Sequence, residues 1–218
     1  MKASVPTFLG GMGLAFGLSV ALGSTSAAPA PQQVTGATQM AAAGFRQMQV
    51  FSTPGVYSFT VPPGVTRLLV ELRGGGGGGG KGNLSMAVGQ GGSGGGYGLG
   101  IFSVVPGSMH AVVVGAGGLG STGGTCTVGG SGGTSSFGSL ISATGGGGGG
   151  GCGNTSVPGT STAPLAFMGQ IGRQYYHPTG SPENPGGLCG DGSTAGMGGN
   201  GNAFFGRNGV AGDVVVSR

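Results

Sequence analysis

The chain has 218 residues, of which 60 are glycine, and it carries eight basic and four acidic residues for a net charge of +4. Collagen is excluded because the glycines follow no strict G-X-Y period, and a charge-solvated disordered chain is excluded because 37% of the residues are apolar. Nucleic-acid binding is disfavoured too, since it needs a dense basic stripe with stacking aromatics, whereas these charges are scattered singly.

The first residues have the order of an export signal. Lys2 precedes an apolar stretch from Val5 to Leu22, and small residues follow. This order predicts a secretory signal peptide over residues 1–27, cleaved after Ala27. The alternative is a retained membrane anchor, since about 18 apolar residues are just enough to span a bilayer. We expect this segment, if uncleaved, to be the only contact with a membrane.

Residues 28–44 read as an Ala/Pro-containing linker, and the folded domain is predicted over residues 45–218. The segments that read as strands are 50–61 (with a Pro-Gly turn inside it), 65–73, 97–105, 109–114, 134–144 and 209–218. In the second of these, Leu68, Val70 and Leu72 share one face by the two-residue period. Segments 97–105 and 109–114 follow each other at hairpin distance. Helical periodicity is absent after the signal, so the pattern predicts an all-β fold, most simply a sandwich.

Two runs of seven glycines, Gly74–Gly80 and Gly145–Gly151, directly follow predicted strands. The run does not match the phosphate-binding loop motif, because Gly82 occupies the position after the lysine where that motif has Ser or Thr. A flexible linker would add loop-closure entropy at each crossing between strands. An ordered tract fits best, because glycine chains form extended helices of the polyproline II type whose backbone groups must bond to neighbours. We therefore expect packed polyglycine II helices, each seven-residue run being about 22 Å long.

Three cysteines, Cys126, Cys152 and Cys189, lie beyond the predicted signal. Export implies an oxidising compartment, so two of them are expected to form a disulfide, and three pairings are open. The chain has no C-x-x-C motif and only two histidines, His110 and His177. No metal site and no cofactor are predicted from this set.

Catalysis needs positioned acids, bases or nucleophiles. The four carboxylates, Glu71, Glu183, Asp191 and Asp213, are widely spaced in the sequence. No G-x-S-x-G elbow accompanies the many serines. The sequence therefore predicts a protein that is not an enzyme.

Residues 163–185 are a long interruption of the glycine pattern. They contain the candidate ligand-binding residues Phe167, Arg173, Tyr175, Tyr176 and His177. Tyrosine and arginine are common at binding hot spots, and loops on a rigid scaffold often carry recognition. The alternative is that Phe167 and Tyr175 only anchor a long loop onto the sandwich.

Residues 56–80, VYSFTVPPGVTRLLVELRGGGGGGG, resemble the opening of the glycine-rich domain of phage tail-fibre proteins and bacterial exported proteins. The pattern is Tyr-x-Phe-x-Val-Pro-x-Gly-Val, a strand and a glycine tract, and its places are filled by Tyr57, Phe59, Val61, Pro62, Gly64 and Val65. Blocks at 96–118, 133–144 and 213–216 follow in the same order. A more distant similarity is to the glycine-rich region of anaplastic lymphoma kinase.

This resemblance implies a jelly-roll or TNF-like β-sandwich with packed polyglycine helices and no catalytic residues. The expected function is attachment: an extracellular, cell-surface or virion-surface protein that binds a host or cell-surface receptor, protein or glycan, as a homo-oligomer without nucleic acid. The alternative is a structural subunit that assembles with itself into an extracellular layer, filament or virion.

Overall fold

The computed structural model describes residues 45, 47–83, 89–152, 156–173, 184–201 and 206–218, together with the backbone of 32–34. The predicted signal peptide lies outside these residues. The strands are β1 (Gln32–Val34), β2 (Met48–Phe51), β3 (Gly55–Thr60), β4 (Arg67–Arg73), β5 (Tyr97–Ser103), β6 (Met109–Val114), β7 (Ser135–Phe137), β8 (Ile141–Ala143), β9 (Leu165–Phe167) and β10 (Asp213–Ser217). The described part of the chain contains no helix that is long and apolar enough to cross a bilayer.

The strands form two antiparallel sheets. The first has the order β1-β2-β10-β4-β5-β9, and the second has the order β3-β6-β7-β8. The alternation in β4 explains how the first sheet is oriented: Leu68, Val70 and Leu72 are fully buried, while the residues between them face outward. The predictions of an all-β fold and of this inward face are confirmed.

The hydrophobic core lies between the two sheets. The first sheet contributes Phe51, Leu68, Val70, Leu72, Val214 and Val216, and the second side contributes Phe59, Val61, Val112, Val114, Phe137, Ile141 and Ala143. The rings of Phe59 and Phe137 meet edge to face with centroids 5.6 Å apart. Burial of each large apolar side chain stabilises the fold by about 1.5–3 kcal/mol, so this layer of side chains holds the sandwich closed.

The predicted hairpin between segments 97–105 and 109–114 is wrong. Strand β5 pairs with β4 and β9, whereas β6 pairs with β3 and β7 in the other sheet. The spacing of the two segments suits a hairpin and also suits a corner that crosses between sheets. The corner places β5 in the first sheet, where Phe102 packs against the core, and β6 in the second sheet, where Val112 and Val114 are buried.

Two strands lie where none was predicted. Strand β1 falls inside the predicted linker and pairs with β2. Strand β9 falls inside the predicted 163–185 loop and pairs with β5. Both are three residues long, which is too short for a two-residue period to be visible in the sequence.

Between the strands, the chain runs as extended tracts that bond to each other through the backbone. In the tract 74–80, the N–H groups of residues 74, 77 and 80 donate to the carbonyls of residues 96, 93 and 90 in one neighbouring tract. Those of residues 75 and 78 donate to residues 133 and 130 in a second tract. Those of residues 76 and 79 donate to residues 210 and 207 in a third. These N···O distances are 2.8–2.9 Å. Every third residue therefore faces the same neighbouring tract.

Ten such tracts form one bundle: 74–80, 90–96, 115–121, 127–133, 144–151, 156–160, 168–173, 185–189, 196–201 and 206–212. Six of them surround the tract 74–80, and backbone bonds connect each member of this ring to the next. The tract 90–96 is likewise enclosed by six neighbours. The two central tracts thus have no open side.

Close approach explains why the central tract is all glycine. A Cβ atom built on any residue from Gly74 to Gly80 would lie 2.0–2.3 Å from a carbonyl oxygen of a neighbouring tract, where no side chain fits. Outer tracts have an open direction, and there the sequence departs from glycine: Leu119 is 71% exposed, while a Cβ on Gly118 or Gly120 would meet a carbonyl oxygen at 2.1 Å. Glycine is therefore needed at each position where a Cβ would meet a neighbouring backbone, although the enclosed tract 90–96 also accommodates the buried side chains of Gln90 and Ser93.

Candidate functional site

The tracts run alternately away from the sandwich and back to it. Tract 74–80 leaves β4 and tract 90–96 returns to β5, and the same alternation continues through the bundle to β10. Five connections, 81–89, 122–126, 152–155, 174–184 and 202–205, join outgoing tracts to returning tracts. The described residues of these connections therefore all lie at the end of the bundle far from the sandwich. We call this end the apex; its described residues are 81–83, 89, 121–127, 152, 173, 184, 201 and 206.

Bonds between the described apex residues join the ends of these connections. Lys81 forms a β-bridge with Thr127, and its Nζ donates to the carbonyl of Gly123 at 2.7 Å. The side-chain amide of Asn184 donates to the carbonyl of Gly89 at 2.9 Å. Residue 201 forms bridges with both 184 and 206. These bonds thus join the described end residues of four of the five connections.

A disulfide links the remaining connection, 152–155, to the others through Cys152. Cys126 and Cys152 are bonded, with Cα atoms 4.9 Å apart, although 26 residues separate them in the chain. Cys126 adopts a left-handed backbone conformation, with φ of 61°. The bond joins the connection after tract 115–121 to the one after tract 144–151.

Just below the apex, a buried glutamine links several tracts. Gln90 is 3% exposed. Its Nε2 donates to the carbonyl of Gly172 at 2.9 Å, and its Oε1 accepts from the N–H groups of Gly150 and Ser156 at 3.3 and 3.1 Å. A polar side chain is tolerated at this depth because all of these bonds are made.

The structure separates the predicted ligand-binding residues that it describes. Phe167 lies in β9, is 48% exposed, and its ring centroid is 6.0 Å from that of Tyr97. Arg173 lies at the apex end of tract 168–173, where its backbone bonds to Gly91 and Pro185. Tract 168–173 runs between the two along the bundle. Tyr175, Tyr176 and His177 lie outside the described residues, so Phe167 does not belong to the apex and Arg173 does.

At the opposite end of the bundle, three carboxylates that are distant in sequence converge on Arg73. Its Nη1 is 3.0 Å from Asp213, its Nε is 2.8 Å from Asp191, and its Nη2 is 2.6 Å from Glu71. The guanidinium also lies 5.3 Å from the ring centroid of Tyr97. Sequence spacing did not suggest this cluster, because β-sheet register brings Asp213 opposite Arg73 and a turn brings Asp191 there.

Burial and the neighbouring charges together set the pKa values in this cluster. Burial alone would lower the pKa of Arg73, but its bond to Asp191 and the charge of Asp213 outweigh that and raise it. Burial would raise the pKa of Asp191, and bonds from Arg73 and Ser193 bring it below its usual range. For Asp213 burial prevails, and its pKa is raised despite Arg73. The four side chains are thus ion-paired with one another where the bundle meets the sandwich.

The third cysteine lies close to this cluster. Cys189 is fully buried, and its thiol donates to the carbonyl of Gly96 at 3.7 Å. Burial raises the pKa of the thiol to about 11, which keeps it protonated and unreactive at neutral pH. Within the described ranges, no three His, Cys, Asp or Glu side chains are arranged to hold a metal ion.

No curated protein matches this chain. The family model of the glycine-rich domain matches residues 52–217, from the residue after β2 to the end of β10. This match covers the core strands, the tracts and the apex. The chain belongs to the glycine-rich domain family.

Proposed function

We propose that this protein is a non-catalytic, exported attachment protein of a cell surface or virion, and that its apex binds a host or cell-surface receptor. The observation that carries the proposal is that the described ends of five connections lie together at one end of a backbone-bonded bundle. Recognition residues commonly lie on loops that a rigid scaffold positions. The receptor is a protein or a glycan, since tyrosine and arginine side chains suit contacts with either.

The tracts are, on this proposal, polyglycine II helices that act as a rigid spacer. Three features support this: the three-residue period of contacts, the close approach of backbones, and the absence of backbone bonds within a tract in the described residues. A helix of this type rises about 3.1 Å per residue. A seven-residue tract would then hold the apex about 22 Å from the sandwich.

Export is supported by the order of residues in the first 27 positions and by the disulfide. Disulfides persist in oxidising compartments and are rare in the cytosol. A bond between Cys126 and Cys152 therefore suits a protein that works outside the cell. Residues 1–27 would be a signal peptide, or an anchor if they are retained.

The test is binding of labelled protein to host cells and to a glycan array. Changing Tyr175→Ala together with Tyr176→Ala should weaken binding by at least about 30-fold, because hot-spot residues contribute 2 kcal/mol or more. Val105→Ala is the matched control, since Val105 is 70% exposed at the rim of the sandwich opposite the apex. Equal binding by both variants would exclude these tyrosines, and binding by none of the proteins would contradict attachment.

A structural subunit that assembles with itself is the second candidate. It is favoured by the scarcity of charge, since twelve charged side chains in 218 residues give little electrostatic repulsion between copies. Concentration-dependent polymers in sedimentation experiments would support this role, whereas a small oligomer of fixed size would support attachment.

A further inference from the structure

A groove runs along the outside of the bundle between tracts 115–121 and 127–133. Both tracts are fully described, and neither contains a charged residue. Gly130 is exposed and faces this groove, since a Cβ atom built on it would lie 3.1 Å from the nitrogen of Leu119 in the opposite wall. We call this feature the open groove. Because Gly130 has no side chain, the backbones of the two tracts themselves form its walls.

Two backbone N–H groups point into the open groove, those of Ala116 and Leu119. A trans peptide bond directs each N–H away from the carbonyl before it. Those carbonyls, of Gly115 and Gly118, accept bonds from tract 206–212 on the other side of the tract. Neither of the two N–H groups donates to a described residue. One wall of the groove therefore offers hydrogen-bond donors at a spacing of three residues.

Two carbonyl groups face the groove from the opposite wall, those of Val128 and Ser131. The N–H groups of the residues that follow, Gly129 and Gly132, donate to tract 144–151. The preceding carbonyls therefore point the other way, into the groove, and they accept no bond from the described residues. The open groove thus has donors on one wall and acceptors on the other, both with the three-residue period of the bundle.

Two other grooves of the bundle are closed by asparagine side chains. Asn208 accepts a bond from the N–H of Gly120 at 2.8 Å in one of them. Asn200 accepts a bond from the N–H of Gly186 at 3.1 Å in the other. Each asparagine has the same relation to its neighbouring tract that Gly130 has in the open groove. With glycine at this position, the open groove keeps its donors available.

We propose that the open groove binds an extended segment of another protein, of the polyproline II type and with glycine at every third position. Such a segment has three residues per turn, so its carbonyl and N–H groups repeat at the same spacing as the donors and acceptors of the groove. Glycine is required where the segment faces a wall, because a Cβ there would collide, as one on Gly118 would at 2.1 Å from the carbonyl oxygen of Gly130. The other positions face solvent. Recognition through main-chain hydrogen bonds is an established way of binding an extended peptide.

The position of Leu119 favours a single strand over a second copy of the bundle. Gly118 and Gly120 take the two directions that face neighbouring tracts, so Leu119 projects outward beside the groove and is 71% exposed. A second bundle laid against this side would have to take the leucine into its backbone packing, whereas one strand passes beside it. The groove lies along the side of the bundle, so the proposal does not depend on receptor binding at the apex.

Fluorescence anisotropy of a labelled peptide with the purified full chain tests the proposal. The peptide has about nine residues, three turns of such a helix, with glycine at every third position and serine or glutamine elsewhere. We expect saturable binding of this peptide. A second peptide with alanine in place of each glycine should bind at least about 10-fold more weakly, because its Cβ atoms would collide with the walls.

Gly130→Asn should weaken binding of the glycine peptide at least about 10-fold, because the new side chain occupies the groove and bonds to the N–H of Leu119. The matched control is Ser131→Asn. Gly130 faces the groove and Gly132 faces tract 74–80, so the three-residue period turns Ser131 away from both. This control should bind like the wild type, and thermal melts should show that both variants are folded.

Amide exchange of the wild type locates the bound peptide without any variant. Exchange at Ala116 and Leu119 should become slower when the peptide binds. Gly117 is the internal control: its N–H also donates to no described residue, but it points away from the groove, since the carbonyl of Ala116 accepts from Gly133. A wild type that binds neither peptide, equal binding of both peptides, or protection that spares Ala116 and Leu119 would overturn the proposal. Wild-type affinity in a folded Gly130→Asn variant would also overturn it.

Discussion

At the scale of single residues, the missing Cβ is the feature that builds the bundle. In a hydrophobic core, a larger side chain usually adds buried area. In the tract 74–80 any side chain collides with a carbonyl oxygen. The same residue type is therefore essential at one position and replaceable at another, depending only on what lies across from it.

A pair of alanine substitutions tests this contrast. Gly77→Ala places Cβ 2.1 Å from the carbonyl oxygen of Gly147, and we expect it to lower the free energy of unfolding by about 3 kcal/mol, the upper end of the typical cost of overpacking. Gly124→Ala meets nothing within 4 Å and should change it by less than about 0.5 kcal/mol. Urea denaturation of both variants measures the difference. Equal stabilities would mean that the central tract is not closely packed.

At the scale of elements, the Arg73 cluster joins three parts of the chain where tracts meet strands. Arg73 and Glu71 end β4, Asp213 begins β10, and Asp191 lies in the turn before tract 196–201. Side-chain exposures of 14–23% place the cluster at a partly buried site. Such a site makes the loss of the single cation costly, because three carboxylates then remain together.

Arg73→Met should therefore destabilise the protein by about 3 kcal/mol, and Asp191→Asn should destabilise it less because Arg73 keeps two partners. The lowered pKa of Asp191 sets the pH dependence: its stabilisation is present above the ordinary carboxyl pKa of about 3.9 and is lost as the pH falls through the lowered value. The difference in the free energy of unfolding between wild type and Asp191→Asn, measured by urea denaturation, should decrease below about pH 4. A constant gap down to pH 2 would contradict this role.

The elements also show where sequence reasoning succeeds. The apolar alternation of Leu68, Val70 and Leu72 fixed the inward face of β4, because each of these side chains has a strong preference for burial. The partners of β5 and β6 were misjudged, since spacing alone does not distinguish a hairpin from a corner. The neighbours of each tract were not predictable, because glycine has no side chain to specify a partner.

At the scale of the whole molecule, two kinds of packing are joined end to end. The sandwich is held by buried side chains and the bundle by backbone hydrogen bonds. The apex is the part furthest from the hydrophobic core, so its order depends on hydrogen bonds and covalent bonds between apex residues. Among the described residues, the covalent bond is the Cys126–Cys152 disulfide.

Changing both Cys126 and Cys152 to Ser should lower the free energy of unfolding by about 3 kcal/mol, since a loop of this length restricts the unfolded chain. We also expect faster amide exchange in 121–127 and 150–152, with little change in β4 and β10, because the sandwich core is remote. Cys189→Ala is the control for thiol loss; it should leave exchange at the apex unchanged. Uniformly faster exchange would instead mean that sandwich and bundle unfold as one unit.

The three-residue period has a consequence for how such a protein can change length. Inserting one residue into an outer tract turns everything beyond it by a third of a revolution, so that Leu119, for example, would be driven into a neighbouring backbone. Inserting three residues restores every direction and, on the proposed polyglycine II geometry, moves the apex outward by about 9 Å. The bundle can thus lengthen only in steps of three residues, and all ten tracts must lengthen together for their ends to stay level.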